Sequence, residues 1–485
     1  MKKINEIHKG VSRPIKVVQF GEGNFLRAFA DWMIDILNEK TDFNGNIALV
    51  KPITMGSLER FHSQDYLYTV LLRGKADGKT VNESRVITSV ETAVSCEEED
   101  KMNELSKTPS LRFVISNTTE AGIVLKEDDH IDGLPESFPG KLTKFLYQRF
   151  IYFGGDENKG LIILPVELIE NNGGKLLDCV LKLSDIWNLP ENFKVWIKES
   201  NIFCNTLVDR IVTGYAKDEA ESICNSLGYQ DELLDIGEPF GLWVIEGDER
   251  VEKELPFKQA GLPVVFTDNL KPYRERKVRI LNGAHTSGCL IGYLAGFDIV
   301  RDCIKDSLVG GFFKKVIYDE IAPLISLPEK EVKEFTESVL ERFENPFIDH
   351  ALLSISLNSV SKWKARVLPT FKDFYNKNGV IPKGLTFSLA ALLAFYSGNK
   401  LKPDGLYAKR QKGNEYIIHD DLSVLKFFSE NSDKADFVSK ALKNTDFWGE
   451  DLSLYEGLES EVEKWLTAIK KDAKEALSFI LEELK

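Results

Sequence analysis

The sequence predicts an α/β protein, with an N-terminal half built on a mainly parallel sheet and a mostly α-helical C-terminal half. Up to about residue 275, short and continuously apolar runs alternate with helical patterns. This alternation is typical of parallel strands that are buried on both faces. Beyond that point, long amphipathic stretches replace the strand-like runs. We therefore predict two domains, 1–275 and 276–485.

Composition narrows the class of protein. The 485 residues are enough for two or three domains, and 43% hydrophobic residues can fill their cores. The net charge of -14 argues against nucleic acid or an anionic membrane surface as a partner. Six scattered cysteines without a CxxC pair favour free thiols and speak against structural zinc. With no secretory signal and no apolar run of about 20 residues, we expect a cytoplasmic protein that does not enter membranes.

The individual elements follow from runs of apolar residues. The strand-like runs are Ile15–Phe20, Asn46–Val50, Leu111–Ser116, Gly160–Pro165 and Gly261–Phe266. The later amphipathic stretches are Phe297–Lys305, Phe312–Ile325, Glu329–Arg342, Leu385–Tyr396 and Glu459–Leu484.

The first strand ends in a glycine turn, Gly21-Glu22-Gly23, and a helical pattern follows. This is the order that a dinucleotide site requires, and it predicts a Rossmann-type domain. The third glycine of the GxGxxG pattern is replaced by Leu26. An acidic residue at the end of the second strand, which would select NAD over NADP, is missing, because that strand ends at Lys51. The sequence thus predicts a dinucleotide site and leaves NADP open.

Polar clusters follow other predicted strands. Ser116–Gly122, which includes Glu120, and Glu167–Gly173 come where ligands bind in open α/β sheets. Taken alone, the first is better explained as a helix cap, and an Asn-Gly turn is the structural alternative for the second. Asp209 next to Arg210 is either a buried ion pair or a substrate contact. A later segment holds three cations, which form either a solvated helix end or a cradle for a carboxylate: Lys362, Lys364 and Arg366.

The motif Lys277-xxxx-Asn282-xx-His285 joins an amine, a carboxamide and an imidazole in an apolar, helix-compatible run. On an α-helix these positions lie at about 0°, 140° and 80° around the axis, so they share one broad face. A lysine of lowered pKa can transfer a proton, and an asparagine can donate a hydrogen bond to a reacting oxygen. The alternative interpretation is a surface lysine, a capping asparagine and a core histidine.

Taken together, these segments resemble the long-chain polyol (mannitol) dehydrogenase family, and most closely its uronate branch. The resemblance covers most of the chain in family order. It rests on Phe20–Ala28, Ser116–Gly122, Asn172-Gly173, Leu207–Ile211, Lys277–His285 and Asn345–Arg366.

The resemblance implies a metal-independent, NAD-dependent oxidoreductase that interconverts D-altronate and D-tagaturonate. Lys277 is the implied general acid/base, Asn172 and Asn282 polarise the reacting oxygen, and His285 orients the substrate hydroxyls. The implied substrate contacts are Asp209, Lys362 and Arg366. The implied cofactor contacts are Val18, Gln19, Phe20, Gly21, Glu22, Gly23, Asn24, Phe25, Leu26, Arg27, Asn117 and Thr118.

Several alternatives stay open from sequence. The nearest is the same chemistry on the epimeric pair mannonate and fructuronate, and next comes a polyol 2-dehydrogenase. A non-catalytic nucleotide-binding sensor belongs to a different class, and the presence of Lys277 speaks against it. A zinc alcohol dehydrogenase lacks the required Cys/His spacing. The oligomeric state is open.

Overall fold

Apolar strands build a six-stranded parallel sheet in the N-terminal part of the chain. The computed structural model describes residues 1–118, 122–411 and 413–485. The strands of this sheet are β1 (Ile15–Phe20), β2 (Asn46–Lys51), β5 (Val90–Ser95), β6 (Phe113–Ser116), β7 (Ile162–Pro165) and β8 (Ile202–Phe203). Their order is β5-β2-β1-β6-β7-β8, with every neighbouring pair parallel. This order confirms the predicted Rossmann-type fold.

The chain divides into two compact units. The first comprises Met1–Gly74 and Thr80–Leu270, and the second comprises Lys75–Lys79 and Lys271–Lys485. The main division thus lies a few residues before the predicted boundary at 275 and 276, and the assignment of domains to 1–275 and 276–485 stays a prediction.

The first unit carries two further small sheets and the helices of the Rossmann-type fold. One sheet has the order β10-β3-β4 and the other β12-β11-β9. These strands are β3 (Tyr68–Ala76), β4 (Lys79–Ile87), β9 (Asn205–Asp209), β10 (Asp235–Gly237), β11 (Leu242–Glu246) and β12 (Val264–Thr267). The helices are α1 (Ile4–Ile7), α2 (Asn24–Leu26), α3 (Trp32–Lys40), α4 (Glu59–Ser63), α5 (Glu99–Ser106), α6 (Phe138–Tyr152), α7 (Asn172–Ile186), α8 (Glu191–Ser200), α9 (Ala220–Leu227) and α10 (Glu249–Glu254), with a π-helix at Arg27–Asp31 and a 3-10 turn at Glu157–Lys159.

Both faces of the parallel sheet are buried. Successive residues of a strand point to opposite faces, and accordingly Val17 belongs to one apolar core and Val18 to the other. The same alternation separates Ile163 from Leu164 in β7. This double burial explains why the strands appear as continuous apolar runs in the sequence.

The second unit is mostly helical. Its helices are α11 (Lys271–Arg276), α12 (Ala284–Leu294), α13 (Val300–Lys305), α14 (Ser307–Lys315), α15 (Glu329–Phe343), α16 (Leu352–Ile355), α17 (Ser359–Arg366), α18 (Leu368–Asn378), α19 (Lys383–Phe395), α20 (Leu422–Asn431), α21 (Phe437–Leu442), α22 (Thr445–Trp448), α23 (Leu458–Lys471) and α24 (Ala473–Glu483). Two π-helices, Lys277–Gly283 and Val316–Ile321, and two 3-10 turns, Ala322–Leu324 and Leu452–Leu454, interrupt them. No helix within the described ranges is long and apolar enough to cross a membrane.

The structure of this unit departs from the sequence prediction. The stretch predicted at Glu459–Leu484 is two helices, because the Asp472 side chain accepts hydrogen bonds from Lys474 N and Glu475 N and caps a new helix. The predicted loss of strands after residue 275 is also incomplete. A small antiparallel sheet is formed by β13 (Lys400–Lys402), β14 (Gly405–Lys409) and β15 (Glu415–Ile418).

Candidate active site

The glycine turn lies where the carboxyl ends of β1 and β6 meet. Gly21 has φ +125°, and a Cβ atom there would lie 3.0 Å from Leu26 Cδ1 and 3.1 Å from Asn117 O, so only glycine fits. A Cβ at Gly23 would meet nothing within 4 Å. Gly23 therefore leaves space at the N-terminus of a helical segment, where free N–H groups and the helix dipole favour a pyrophosphate. This turn fits a dinucleotide.

The side chain of Arg27 stabilises the glycine turn through hydrogen bonds. Its guanidinium donates to Asn24 Oδ1 at 2.5 Å and to Leu233 O, and it lies 3.8 Å from Asp235 Oδ2. Burial raises the pKa of Asp235 to about 7. Burial also raises the pKa of Asp31 to about 7, although its Oδ2 accepts a hydrogen bond from Tyr68 at 2.5 Å. A buried network of ionisable groups thus supports the predicted cofactor loop.

The end of β2 holds a lysine that is not available to a ligand. Lys51 is only 4% exposed. Its ammonium group donates to three carbonyl oxygens of the following loop, Thr54 O at 3.1 Å, Met55 O at 3.4 Å and Gly56 O at 2.9 Å. Because its three donors are used, Lys51 shapes this loop rather than presenting a charge.

The polar cluster after β6 is organised by a carboxylate. Glu167 accepts from the Ser116 hydroxyl at 3.1 Å and from Thr118 N and Oγ1 at 3.0 and 3.1 Å. Burial raises the pKa of Glu167. A cavity of about 230 Å³ opens beside Thr118 and is also lined by Pro52 and Ile53. The three residues 119–121, including Glu120, lie outside the described residues.

Asn172 is enclosed by the backbone of its own unit. Its side chain is 0% exposed, and Nδ2 donates to Pro165 O at 2.9 Å and to Glu167 O and Thr206 O at 3.1 Å. Its Oδ1 accepts from Gly173 N at 3.0 Å and Thr206 N at 2.9 Å. An amide has only two N–H donors, and here backbone oxygens already accept from them. These hydrogen bonds do not favour direct polarisation of a substrate oxygen by Asn172, which stays a prediction.

Asp209 ends β9 and is buried. The neighbouring Arg210 donates to the carbonyl oxygens of Ala28, Pro239 and Phe240 and lies 4.4 Å over the Trp32 ring. Burial lowers the pKa of Arg210 to about 10. The guanidinium of Arg210 therefore donates to backbone oxygens, and a substrate contact by Asp209 stays a prediction.

The Lys277 motif lies on a π-helix rather than an α-helix, since Lys277–Gly283 adopt this form before α12 begins at Ala284. A π-helix has i→i+5 hydrogen bonds and more residues per turn. Lys277 and Asn282 are five residues apart and so lie closer to the same side than the α-helical estimate of 140° predicts. The Asn282 carbonyl accepts from the Thr286 hydroxyl at 2.9 Å, whereas its carboxamide makes no hydrogen bond to the described residues. Asn282 is thus open to a ligand in a way that Asn172 is not.

The ring of His285 packs against aromatic side chains and has cationic side chains nearby. Its ring stacks on Phe343 with centroids 4.3 Å apart and meets His350 edge-on at 5.4 Å. Burial, followed by the electrostatic influence of the side chains of His350, Arg342, Arg366 and Lys362, lowers the pKa of His285 well below its usual value. Its Nε2 is buried without a hydrogen-bond partner among the described residues. His285 is therefore a neutral imidazole that can bind a hydroxyl group.

The structure separates the three cations of α17. Lys362 and Arg366 are four residues apart and therefore share one face of the helix. Both act on the pKa of His285. The guanidinium of Arg366 makes no hydrogen bond or ion pair with another described residue, and Lys362 donates one hydrogen bond to Ile355 O at 2.9 Å. Lys364 instead is exposed and lines a separate cavity near Asp420.

Three neighbours of His285 were not assigned from sequence: Arg342, Phe343 and His350. They lie far along the chain, on α15 and just before α16, so periodicity carries no signal for them. His350 was part of the segment resembling the uronate branch, but without a role. Among the described residues, no group of three or more His, Cys, Asp or Glu side chains could hold a metal ion.

These features define a class of protein: a Rossmann-type fold that fits a dinucleotide, followed by a helical unit in which two cations, Lys362 and Arg366, act on the histidine of a Lys-Asn-His motif. Family models for the mannitol dehydrogenase Rossmann domain and the mannitol dehydrogenase C-terminal domain match residues 15–259 and 269–470. The chain belongs to the mannitol dehydrogenase family.

Individual relatives agree with this assignment. Altronate oxidoreductase of Bacillus subtilis (strain 168) is 44% identical over 463 residues, which cover 94% of this chain and 93% of the relative. A D-sorbitol dehydrogenase structure matches with a TM-score of 0.80 at 22% identity, covering 98% of this chain and 100% of that chain. A Pseudomonas fluorescens mannitol 2-dehydrogenase structure matches with a TM-score of 0.67 at 20% identity, covering 98% and 94%. The two structures support the fold.

Proposed function

We propose that this protein is an NAD-dependent oxidoreductase that interconverts D-altronate and D-tagaturonate. The observation that carries the proposal is the neutral His285, with Lys362 and Arg366 nearby and the Lys277–Asn282 pair preceding it. Within the described residues no ion pair joins Lys362 or Arg366 to a carboxylate, and such cations suit the carboxylate of a sugar acid. The relative at 44% identity over 94% of the chain bears the name altronate oxidoreductase, which fits the same chemistry.

The first unit is proposed to bind the nucleotide. Gly21 and Gly23 allow the pyrophosphate to approach the backbone, and Arg27 fixes the turn. The ammonium group of Lys51 is used by three carbonyl oxygens and offers no charge to a 2′-phosphate. This supports NAD rather than NADP. When bound, the nicotinamide donates or accepts a hydride at the carbon that bears the reacting oxygen.

The second unit is proposed to bind the sugar acid and to move the proton. In the reducing direction, the Lys277 ammonium gives its proton to the oxygen of the former ketone, and in the oxidising direction the Lys277 amine removes the alcohol proton. The Asn282 carboxamide donates a hydrogen bond to the same oxygen and stabilises its negative charge. His285 binds a neighbouring hydroxyl, and Arg366 with Lys362 binds the carboxylate.

The test is NADH oxidation, followed by absorbance, with tagaturonate, fructuronate and fructose offered separately in the presence of EDTA. Preference for tagaturonate supports the proposal. Preference for fructuronate keeps the mechanism and changes the substrate to the epimer, and turnover of fructose alone contradicts the carboxylate site. No turnover of any of them, with NADH or NADPH, contradicts the enzyme assignment.

A further inference from the structure

The segment that ends in His350 is fixed by several contacts within the helical unit. Arg301 donates to Pro346 O at 2.9 Å and pairs with Asp349 Oδ1 at 2.5 Å. The carbonyl of His350 accepts from Val300 N at 3.0 Å. These bonds hold the backbone at His350 in place shortly before α16.

The imidazole of His350 contacts that of His285. The two ring centroids are 5.4 Å apart and their planes are nearly perpendicular, at 88°. Phe343 stacks on His285 with centroids 4.3 Å apart, so the His285 ring contacts both Phe343 and His350. No hydrogen bond joins the His350 ring to another described residue, and Nε2 of His285 is buried and unpaired within the same ranges. Buried polar groups normally have hydrogen-bond partners.

The two imidazoles and the two cations suit different parts of one ligand. Burial lowers the pKa of His350, so at neutral pH its ring is uncharged and offers one donor and one acceptor. Such a ring suits a hydroxyl group, which also donates and accepts. Arg366 and Lys362 are cationic side chains, which suit a carboxylate. A chain of hydroxyl groups that ends in a carboxylate suits both the two imidazoles and the two cations.

We propose that His350 is a specificity-determining residue that hydrogen-bonds a hydroxyl group of the sugar acid, beside the hydroxyl that His285 binds. This inference rests on the proposed function, since it requires the helical unit to bind a sugar acid. It adds a second histidine to the contacts that distinguish one hydroxyl configuration from its epimer.

The test compares His350→Phe and His350→Asn with the unchanged protein. Phenylalanine keeps a ring against His285 but removes both nitrogen atoms, so we expect KM for tagaturonate to rise about 10-fold or more, with kcat largely kept. Asparagine restores one donor and one acceptor, and we expect it to recover part of the loss. The ratio of kcat/KM for tagaturonate over fructuronate should fall in His350→Phe. NADH affinity, measured by fluorescence titration, should not change. His130→Phe, at an exposed histidine of the other unit, is the control.

Calorimetric titration with D-altronate separates this inference from the proposed function. An unchanged KM and an unchanged altronate affinity in His350→Phe would overturn the role of His350 even if the protein reduces tagaturonate. If the protein binds altronate but turns over neither uronate, the proposed function fails, and the altronate affinity of His350→Phe still decides this inference. Absence of both binding and turnover overturns both.

Discussion

The imidazole of His285 stacks on the ring of Phe343, with the planes 20° apart. Phe343 is the last residue of α15 and is buried. A stacked pair of this kind contributes about 1 kcal/mol beyond the burial of its area. The stack therefore sets the orientation of His285, and a residue from a distant part of the chain contributes to the proposed site.

Phe343→Leu tests this contribution. Leucine retains most of the apolar volume but cannot stack, so the orientation of His285 becomes less defined. We expect KM for the sugar acid to rise about 5- to 10-fold, corresponding to about 1 kcal/mol, measured by steady-state kinetics. Phe312→Leu, at a buried phenylalanine that packs on Phe387 instead, should lower stability to a similar extent without changing KM. Equal KM effects in both variants would contradict a specific role for the stack.

Lys277→Met tests the proton-transfer step. Methionine keeps the length of the side chain but can neither donate nor accept the proton. General acid–base catalysis contributes about 100- to 10,000-fold, so we expect kcat to fall by at least about 100-fold while NADH binding is kept. The exposed Lys314 provides the matched control, Lys314→Met. If NADH affinity falls together with kcat, the lysine acts on the nucleotide rather than on the substrate oxygen.

The first strand and the glycine turn after it were predicted correctly from local sequence. Ile15–Phe20 is a strand with the predicted limits, and the glycine turn follows it. Burial on both faces selects apolar residues, and a positive φ selects glycine, so both features are visible in the sequence. The π-helix at Lys277–Gly283 was not predicted, because the estimate assumed 3.6 residues per turn. The hydrogen bonds of Asn172 to Pro165 O and Thr206 O come from other strands, and a sequence pattern does not contain such partners.

Arg366→Met and Lys362→Met test the carboxylate site. Hydrogen bonds to charged groups contribute about 1.5–3 kcal/mol, so each loss should raise KM for tagaturonate about 10- to 100-fold. We expect the larger effect for Arg366, because Lys362 already donates to Ile355 O. Lys364→Met removes a cation of the same helix that is exposed, and its KM should not change. A comparable rise in KM for Lys364→Met would show that general charge, rather than a defined site, attracts the substrate.

The buried Asp235 predicts a stability that depends on pH. Its pKa is raised to about 7 in the folded protein, compared with 3.8 as the ordinary value. The folded state therefore holds this proton more tightly than the unfolded state. The corresponding stability is fully present below about pH 4 and is lost as pH rises to about 7. In Asp235→Asn, the free energy of unfolding at pH 5 and pH 8 should differ less than in the unchanged protein, by about 2–3 kcal/mol. Asp42→Asn, at an exposed site, should leave the difference as it is.

The effects of replacing Asn172 and Asn282 should differ, because the Asn172 carboxamide is hydrogen-bonded to buried backbone groups and the Asn282 carboxamide is not hydrogen-bonded to the described residues. Asn172→Ala leaves three carbonyl oxygens and two N–H groups without their buried partner. We expect a loss of about 2–4 kcal/mol in unfolding free energy, measured by urea denaturation. Asn282→Ala removes a carboxamide with no hydrogen bond to the described residues, so stability should change little while kcat falls about 100-fold or more. If instead Asn172→Ala keeps its stability and loses kcat to the same extent, its amide must leave the backbone groups and bind the reacting oxygen during turnover.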